Sequence, residues 1–235
     1  MNERFEVFTI YHFELHTHLK GTSFCASVDA QTTVRRYLAA GYEGLVSTNH
    51  INNATFGTLE SAPWAEKVDF FLRGCERLEQ AAEDKLDVLL GCEINLSGKS
   101  GISLPNDYLV YGIDKQWLLS LGDPRGMSLR ALSEYVRGTD KLLIQAHPFR
   151  YGTMIMEDQL LDGFEVYNGN MNHDSHDILA RTWATYLGKI QTSGSDFHDP
   201  GSRINAGIAT ETRIRNNQDL LAVLRSGRYQ LIQPA

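Results

Sequence analysis

Short apolar runs recur along this 235-residue chain, and several of them end at side chains that can bind a metal ion. These side chains are His16 and His18, His50, Glu93, His147, and Asp196 and His198, in five separate places. The residue after a parallel strand is exposed at the carboxyl rim of its sheet, and in a closed barrel these rims meet at one mouth. We therefore expect the side chains to converge and to form a metal site.

The spacing within two of these places also favours metal binding. His16 and His18 are separated by one residue, as are Asp196 and His198. In a strand, this spacing puts both side chains on one side, about 7 Å apart along the chain, which is close enough to hold one ion. Imidazole together with carboxylate suits zinc, manganese or iron, whereas calcium and magnesium prefer oxygen ligands.

Alternating strand and helix patterns predict an α/β protein with a mainly parallel sheet. The predicted strands are 7–15, 44–48, 88–93, 108–111, 142–146, 164–167 and 189–192. The predicted helices are 32–40, 64–83, 129–137 and 175–187, and glycines follow three of them. The segment 96–106, rich in glycine, serine and asparagine, predicts a loop at the rim.

Length and composition predict one domain spanning 1–235, because α/β barrels of about 200 to 250 residues are common. The hydrophobic fraction of 42% supports a sizeable core, and no apolar run has the length of about 18 residues that a membrane helix needs. The first residues, MNERFEVF, carry acids where a signal peptide would be basic and then apolar. We therefore expect a cytoplasmic protein without a membrane partner.

The net charge and the cysteine content restrict which partners and which disulfides are expected. The net charge of −7 and the lack of a basic run argue against a stable nucleic-acid partner, which needs cations to neutralise phosphates. Cys25, Cys75 and Cys92 form no CxxC motif and leave an odd cysteine, so a disulfide framework is not expected. Oligomeric state has no sequence signal.

Six motifs in a fixed order resemble those of the PHP family, named for polymerase and histidinol phosphatase domains. They are HTH at 16–18, NH at 49–50, GCEI at 91–94, HPF at 147–149, EVYN at 165–168 and GSDFH at 194–198. The resemblance extends from about residue 13 to 200. It implies a distorted (β/α)7 TIM-like barrel, a centre of two or three divalent metals at the carboxyl rim, and phosphoester hydrolysis. The chain's size resembles the standalone phosphatase-like members.

The resemblance also implies roles for individual residues. The first metal would be held by His16, His18, Glu93 and Asp196; Glu93 would bridge to a second metal bound by His147; and His50 and His198 would hold a third. Two positions depart from the family pattern. Ser23 stands where an acid or histidine is usual, so we expect a weak or empty third site. In the segment PNDYLVYG, Asp107 is the nearest group able to replace a histidine ligand of the second metal.

A phosphatase also needs cations for the non-bridging phosphate oxygens. Arg150 and Arg203 follow two of the motifs closely, and the forked guanidinium suits phosphate, so both are predicted at the rim. The residues predicted to take part in catalysis are therefore Glu93, Asp196, His198, Arg150 and Arg203. His198 is a candidate to protonate the leaving group if no third metal occupies it.

The sequence thus predicts a metal-dependent phosphoesterase, and specifically a phosphomonoesterase acting on a small phosphorylated metabolite or nucleotide. A water bridging two metals would lose a proton at neutral pH and attack phosphorus in line. One alternative is an amidohydrolase that cleaves C–N bonds, since that class also begins with His-x-His, although it typically uses a bridging lysine and lacks the acid at Glu93. A second alternative is a non-catalytic, metal-stabilised module, which the departure at Ser23 leaves open.

Overall fold

The computed structural model describes residues 9–96 and 106–234. The strands are Tyr11–Thr17 (β1), Gly44–Ser47 (β2), His50–Ile51 (β3), Asp87–Asn95 (β4), Asp107–Tyr111 (β5), Leu142–Gln145 (β6), Gly163–Asn168 (β7), Ile190–Gly194 (β8), Gly207–Thr210 (β9) and Gln230–Ile232 (β10). The helices are Ala30–Ala39 (α1), Trp64–Ala82 (α2), Lys115–Leu121 (α3), Leu129–Gly138 (α4), Asp177–Tyr186 (α5) and Asn217–Ser226 (α6).

All seven predicted strands are present, as β1, β2, β4, β5, β6, β7 and β8. Strand β1 begins at Tyr11, and the first two residues of its predicted range lie outside the described residues. The loop predicted at 96–106 also lies outside them, apart from its two ends. The four predicted helices correspond to α1, α2, α4 and α5. The predictions missed α3 and α6 and the short strands β3, β9 and β10.

The strands form one sheet that curves into a nearly closed barrel. Its order is β10-β9-β1-β2-β4-β5-β6-β7-β8, and β3 pairs beside β4. Closure occurs where the chain after β8 meets the end of β1. There the His18 amide donates to the carbonyl of Phe197 at 3.0 Å, and the Phe197 amide donates to the carbonyl of His16 at 3.3 Å. The predicted fold class, an α/β protein with a distorted TIM-like barrel, is confirmed.

Strand β5 is the main distortion of the barrel. It pairs antiparallel with both β4 and β6, whereas β1, β2 and β4 pair in parallel with one another, as do β6, β7 and β8. Because β5 is reversed, its first residue rather than its last lies at the rim where the parallel strands end. Asp107 is that first residue, and its register partner Asn95 is the last residue of β4.

Apolar residues from the strands fill one end of the barrel, and α6 packs against them. This cluster includes Phe13 of β1, Val46 of β2, Leu109 of β5, Ile144 of β6, and Leu220 and Leu224 of α6. A second cluster lies between the sheet and α2, α4 and α5, with Phe71, Leu132 and Ala184 among its members. The apolar end thus fixes the barrel while the polar residues gather at the other rim.

None of the helices in 9–96 and 106–234 combines the length and apolar character that a bilayer crossing requires.

Candidate metal centre

The structure brings all eight predicted metal ligands into one cluster at the carboxyl rim. A cavity of about 410 Å³ opens there, and its lining includes His50, Glu93, Asp107, His147, Asp196 and His198. The remaining two ligands, His16 and His18, contact Glu93 and Asp196 from the end of β1. Residues from six strand ends therefore meet around one opening, as the sequence predicted.

Glu93 stands at the centre of the cluster and is completely buried. Its Oε2 atom lies 2.9 Å from His50 Nδ1, 3.2 Å from His18 Nε2 and 3.4 Å from His16 Nε2. Its Oε1 atom lies 3.3 Å from His147 Nε2. Neither oxygen accepts a regular hydrogen bond from the described residues. A buried carboxylate without hydrogen bonds is unfavourable in free energy unless a nearby cation compensates its charge.

Asp196, which follows β8, forms a second centre of negative charge. Its Oδ1 atom lies 3.2 Å from His18 Nε2, 3.4 Å from His16 Nε2 and 3.3 Å from His198 Nδ1. The backbone of Asp196 has φ of +46°, in the left-handed region, and this turn directs the carboxylate back to β1. Asn170 fixes the other oxygen, because its Nδ2 donates to Oδ2 at 3.0 Å.

The hydrogen-bond partners of His16 and His18 show which ring nitrogen faces the centre. His16 Nδ1 donates to Glu165 Oε1 at 2.8 Å. His18 Nδ1 lies 3.2 Å from Ser23 Oγ, whose own proton goes to Asn49 Oδ1 at 2.9 Å, so the ring is the donor. Each Nε2 is then free to offer a lone pair, and the two Nε2 atoms lie 3.0 Å apart.

Four lone-pair atoms thus converge, namely His16 Nε2, His18 Nε2, Glu93 Oε2 and Asp196 Oδ1. They carry no proton among them when both imidazoles are neutral, and a shared divalent cation would satisfy all four. Outer hydrogen bonds that fix the ring tautomer, such as the one from His16 to Glu165, are the usual second layer of a metal site. The residues fit a divalent metal ion.

Two further groups of potential ligands flank this point. The ligand atoms of His18, His50 and His198 lie within 4.8 Å of one another, and so do those of His50, Glu93 and Asp107. The His18 ring stacks on the rings of His50 and His198, with centroids 4.3 and 4.2 Å apart. His147 Nε2 lies 3.9 Å from Asp107 Oδ2, so Asp107 reaches the place predicted for it.

The buried acids and imidazoles of the cluster shift one another's pKa values. Burial lowers the pKa of His16, but Glu165, Asp196 and Glu93 outweigh burial, so the pKa is raised well above its ordinary value. Burial conversely raises the pKa of Glu93, yet His50 and His16 hold it well below the usual range. The site therefore favours positive charge among ionised carboxylates, which a divalent cation also supplies.

His198 behaves differently from the other imidazoles. Burial and the neighbouring His18 lower the pKa of His198 to about 4. Its Nδ1 donates to the backbone carbonyl of Asp196 at 2.8 Å, which leaves Nε2 with a lone pair. A neutral imidazole of this kind suits metal binding better than proton donation at neutral pH.

Glu165 and His173 belong to the site although the sequence predictions gave them no ligand role. Glu165 lies inside β7, and besides holding His16 it accepts from the His147 amide at 3.0 Å. The Nε2 atom of His173 lies 3.5 Å from Asp196 Oδ2 and is buried without a regular hydrogen bond in the described chain. A buried acid within an otherwise apolar strand was the available signal for Glu165.

Ser23 orients two histidines of the site, and Gly194 lets two strands approach each other beside it. The Ser23 hydroxyl accepts from the His50 amide at 3.0 Å as well as from His18, so its hydrogen bonds orient two imidazoles. Gly194 ends β8 beside His16, where a Cβ atom would lie only 2.3 Å from His16 Cβ. Gly194 is therefore needed for β1 and β8 to come together at the site.

The two predicted phosphate-binding arginines have different positions. Arg150 lines the cavity, and its Nη2 lies 3.1 Å from Asp107 Oδ2. Arg203 is exposed and is not among the described residues that line the cavity. Arg36 of α1 donates to the carbonyl of Pro200 at 2.7 Å and holds the preceding loop against that helix. Arg203 therefore lies outside the cavity lining.

Replacing Glu165 by glutamine should weaken metal binding without removing a ligand. An amide NH₂ would face either His16 Nδ1 or the His147 amide, and both are donors. We expect metal affinity to fall about 10- to 100-fold, the usual effect of losing an outer partner of a metal ligand. Competition with a metal-binding dye measures it. Glu157→Gln, an exposed change, is the control, and equal affinities for both variants would contradict the assigned position of Glu165.

No family model matches the chain, and no curated protein matches it. Among solved structures, a protein from Bifidobacterium adolescentis proposed to be a metal-dependent phosphoesterase is 16% identical, with a TM-score of 0.57, covering 92% of this chain and 96% of the other. An amidohydrolase from Chromobacterium violaceum, with bound sulfate and no metal, is 16% identical, with a TM-score of 0.51 and coverage of 93% and 97%.

A third solved structure is longer than this chain. The lesion-specific endonuclease PfuEndoQ from Pyrococcus furiosus is 12% identical, with a TM-score of 0.61, and the match covers 95% of this chain and 58% of that one. At these identities the likeness establishes the fold. This chain is an α/β barrel of the architecture found in these proteins, with a buried cluster of histidines and carboxylates at its rim that suggests divalent metal binding.

Proposed function

We propose that this protein is a metal-dependent phosphoesterase of the PHP type, and specifically a phosphomonoesterase acting on a small phosphorylated metabolite or nucleotide. The observation that carries the proposal is the convergence of His16, His18, Glu93 and Asp196 lone pairs beside an open cavity that also contains Arg150. The fold shared with a proposed phosphoesterase and an endonuclease supports it.

Three sets of residues would hold the divalent metals, zinc, manganese or iron. They are His16, His18, Glu93 and Asp196; Glu93, Asp107 and His147; and His50 with His198. When bound, such ions supply Lewis acidity and an activated water nucleophile for phosphoryl transfer. Glu93 is the residue shared between sets, because its two oxygens face different histidines.

Arg150 and the asparagines of the cavity would bind the phosphate. The Arg150 side chain is 27% exposed, and its guanidinium can donate paired hydrogen bonds to phosphate oxygens. Asn52, Asn95, Asn170 and Asn172 also line the opening and provide amide groups. A volume of about 410 Å³ matches a small-molecule pocket, which generally has about 300 to 1,000 Å³.

The chemistry of His198 limits its role in this proposal. With its Nδ1 committed to a carbonyl and its pKa lowered to about 4 by burial, His198 is neutral at pH 7. It therefore contributes a lone pair rather than a proton, and the proposal assigns it as a ligand. The acid that protonates the leaving group would be a solvent molecule admitted through the open cavity.

The experiment that tests this function is a substrate screen on metal-loaded protein. Protein stripped of metal and reloaded with zinc, manganese or iron is offered phosphomonoesters, phosphodiesters and amides. We expect turnover of phosphomonoesters that is lost on chelation and restored by metal. Faster cleavage of amides would favour the amidohydrolase alternative, and metal binding without turnover of any class would favour the non-catalytic module.

Arg150→Ala should impair substrate binding while the metals are retained. The loss of a charge-assisted phosphate contact of about 1.5 to 3 kcal/mol corresponds to a fall in kcat/KM of about 10- to 150-fold. Steady-state kinetics and elemental analysis measure the two effects separately. Arg203→Ala is the matched control, because Arg203 lies outside the cavity and should leave kcat/KM unchanged. Equal kinetics for the two variants would remove Arg150 from the phosphate site.

A further inference from the structure

A loop between β1 and α1 holds Cys25 at the edge of the proposed metal centre. On one side of Cys25, Ser23 accepts from the His50 amide at 3.0 Å. On the other side, the Ser27 amide donates to the carbonyl of His198 at 2.9 Å. The loop is thus fastened to both the His50 and the His198 strand ends, and Cys25 lies between the two attachments.

The thiol of Cys25 faces the imidazoles of those same two strand ends. Its Sγ atom lies 3.0 Å from His198 Nε2, the nitrogen left free by the bond from Nδ1 to the Asp196 carbonyl. The thiol also contacts the His50 ring. All three side chains line the same cavity, and the ligand atoms of His50, His198 and His18 already lie within 4.8 Å of one another.

Two observations argue that this group binds a ligand rather than forming an ordinary surface contact. His50 Nδ1 is buried and makes no regular hydrogen bond within the described residues, although it lies 2.9 Å from the equally unpaired Glu93 Oε2. Ser23, the position where an acid or imidazole was expected, is fully used: its hydroxyl donates once and accepts twice, which is its whole capacity.

We propose that the Cys25 thiolate, His50 and His198 form a metal subsite with one sulfur and two nitrogen ligands. This inference rests on the proposed metal-dependent function, because both need a metal at the rim. A thiolate makes the subsite soft, so it should select zinc, cobalt or cadmium over manganese and magnesium. With three protein ligands, the subsite would leave room for one further ligand from solvent or substrate, as catalytic rather than structural zinc sites do.

The thiol gives this subsite a spectroscopic signature that the remaining ligands lack. In protein loaded with cobalt(II), a thiolate ligand produces an intense charge-transfer absorption in the near ultraviolet, whereas nitrogen and oxygen ligands give only weak visible bands. We expect this absorption in the wild-type protein and its complete loss in Cys25→Ala, with cobalt affinity at the subsite reduced by at least about 100-fold. Cys75→Ala, in the buried interior of α2, should keep the absorption.

A second measurement needs no variant. Cys25 is exposed, whereas Cys75 and Cys92 are buried, so a thiol reagent should modify Cys25 first in metal-free protein. Zinc should slow that modification, while manganese should not. Equal modification rates with and without zinc would overturn the proposal.

The outcomes separate this inference from the proposed function. Visible cobalt bands without the thiolate absorption would overturn the Cys25 subsite and leave the metal-dependent function standing. The absence of any cobalt binding would overturn both. Cys25→Ala with unchanged metal content but no turnover would also overturn the subsite, because it would identify the Cys25 and His198 pair as a nucleophile and base instead.

Discussion

We expect Glu93→Gln to abolish turnover and to lower metal content sharply while the barrel remains folded. The two oxygens of Glu93 face histidines on opposite sides of the cluster, and a neutral amide cannot balance cations in both directions. We expect kcat/KM to fall by more than about 1,000-fold, well beyond the roughly 10- to 100-fold effect of losing an outer partner. Elemental analysis and steady-state kinetics measure both losses.

Thermal unfolding separates this effect from damage to the fold. Metal-free Glu93→Gln should still unfold cooperatively but at a lower melting temperature, because, despite burial, His50 and His16 hold the pKa of Glu93 well below its usual range and the ionised carboxylate therefore stabilises the fold at neutral pH. Glu83→Gln, an exposed change, is the control and should match the wild-type protein in metal content, rate and melting temperature. Wild-type metal content and rate in Glu93→Gln would contradict a central role for this residue.

Asp196→Asn should produce the second large loss. Asn adopts the left-handed backbone conformation that Asp196 has at φ of +46° more readily than most residues, so the turn after β8 should survive. What disappears is the negative charge that faces His16, His18 and His198. We expect metal affinity and kcat/KM to fall by more than about 1,000-fold, again beyond an outer-partner effect.

A comparison of two substitutions at this position makes the test specific. Both substitutions remove the charge and should lose metal, but Asp196→Ala also strains the left-handed backbone, so it should lose more stability than Asp196→Asn. Asp174→Asn, at an exposed position, is the control for a lost aspartate charge. An Asp196→Asn protein that retains metal through dialysis would contradict the ligand role of Asp196.

The metal-competent residues were predictable because each follows a short buried run at a strand end. His16, His50, Glu93 and Asp196 are far apart in sequence, but the strand ends of a barrel all meet at the same rim. The two-residue period of a strand then determines which side chains point to the same side. Asp107 reached the site for a reason that the sequence did not reveal. Its strand runs antiparallel to both neighbours, so its first residue lies at the rim.

The residues that the sequence predictions missed depend on contacts between distant parts of the chain, which a local sequence pattern does not show. Glu165 is inside a strand, and only the tertiary approach of β7 to β1 makes it the partner of His16. Arg203 follows a motif closely, yet it is exposed and lies outside the cavity lining, because closeness to a motif in sequence does not fix where a loop residue points. Helix α6, by contrast, was detectable, because Asn216 caps its start and Gly227 follows its end.

Elemental analysis of the wild-type protein, combined with phosphomonoester hydrolysis before and after chelation, measures the metal centre most directly. We expect a divalent metal that survives dialysis, hydrolysis that falls to background when chelator removes the metal, and recovery when the metal is returned. A protein that contains no divalent metal, gains none on incubation with zinc, manganese or iron, and hydrolyses phosphomonoesters at the same rate in chelator would contradict the metal centre at this rim.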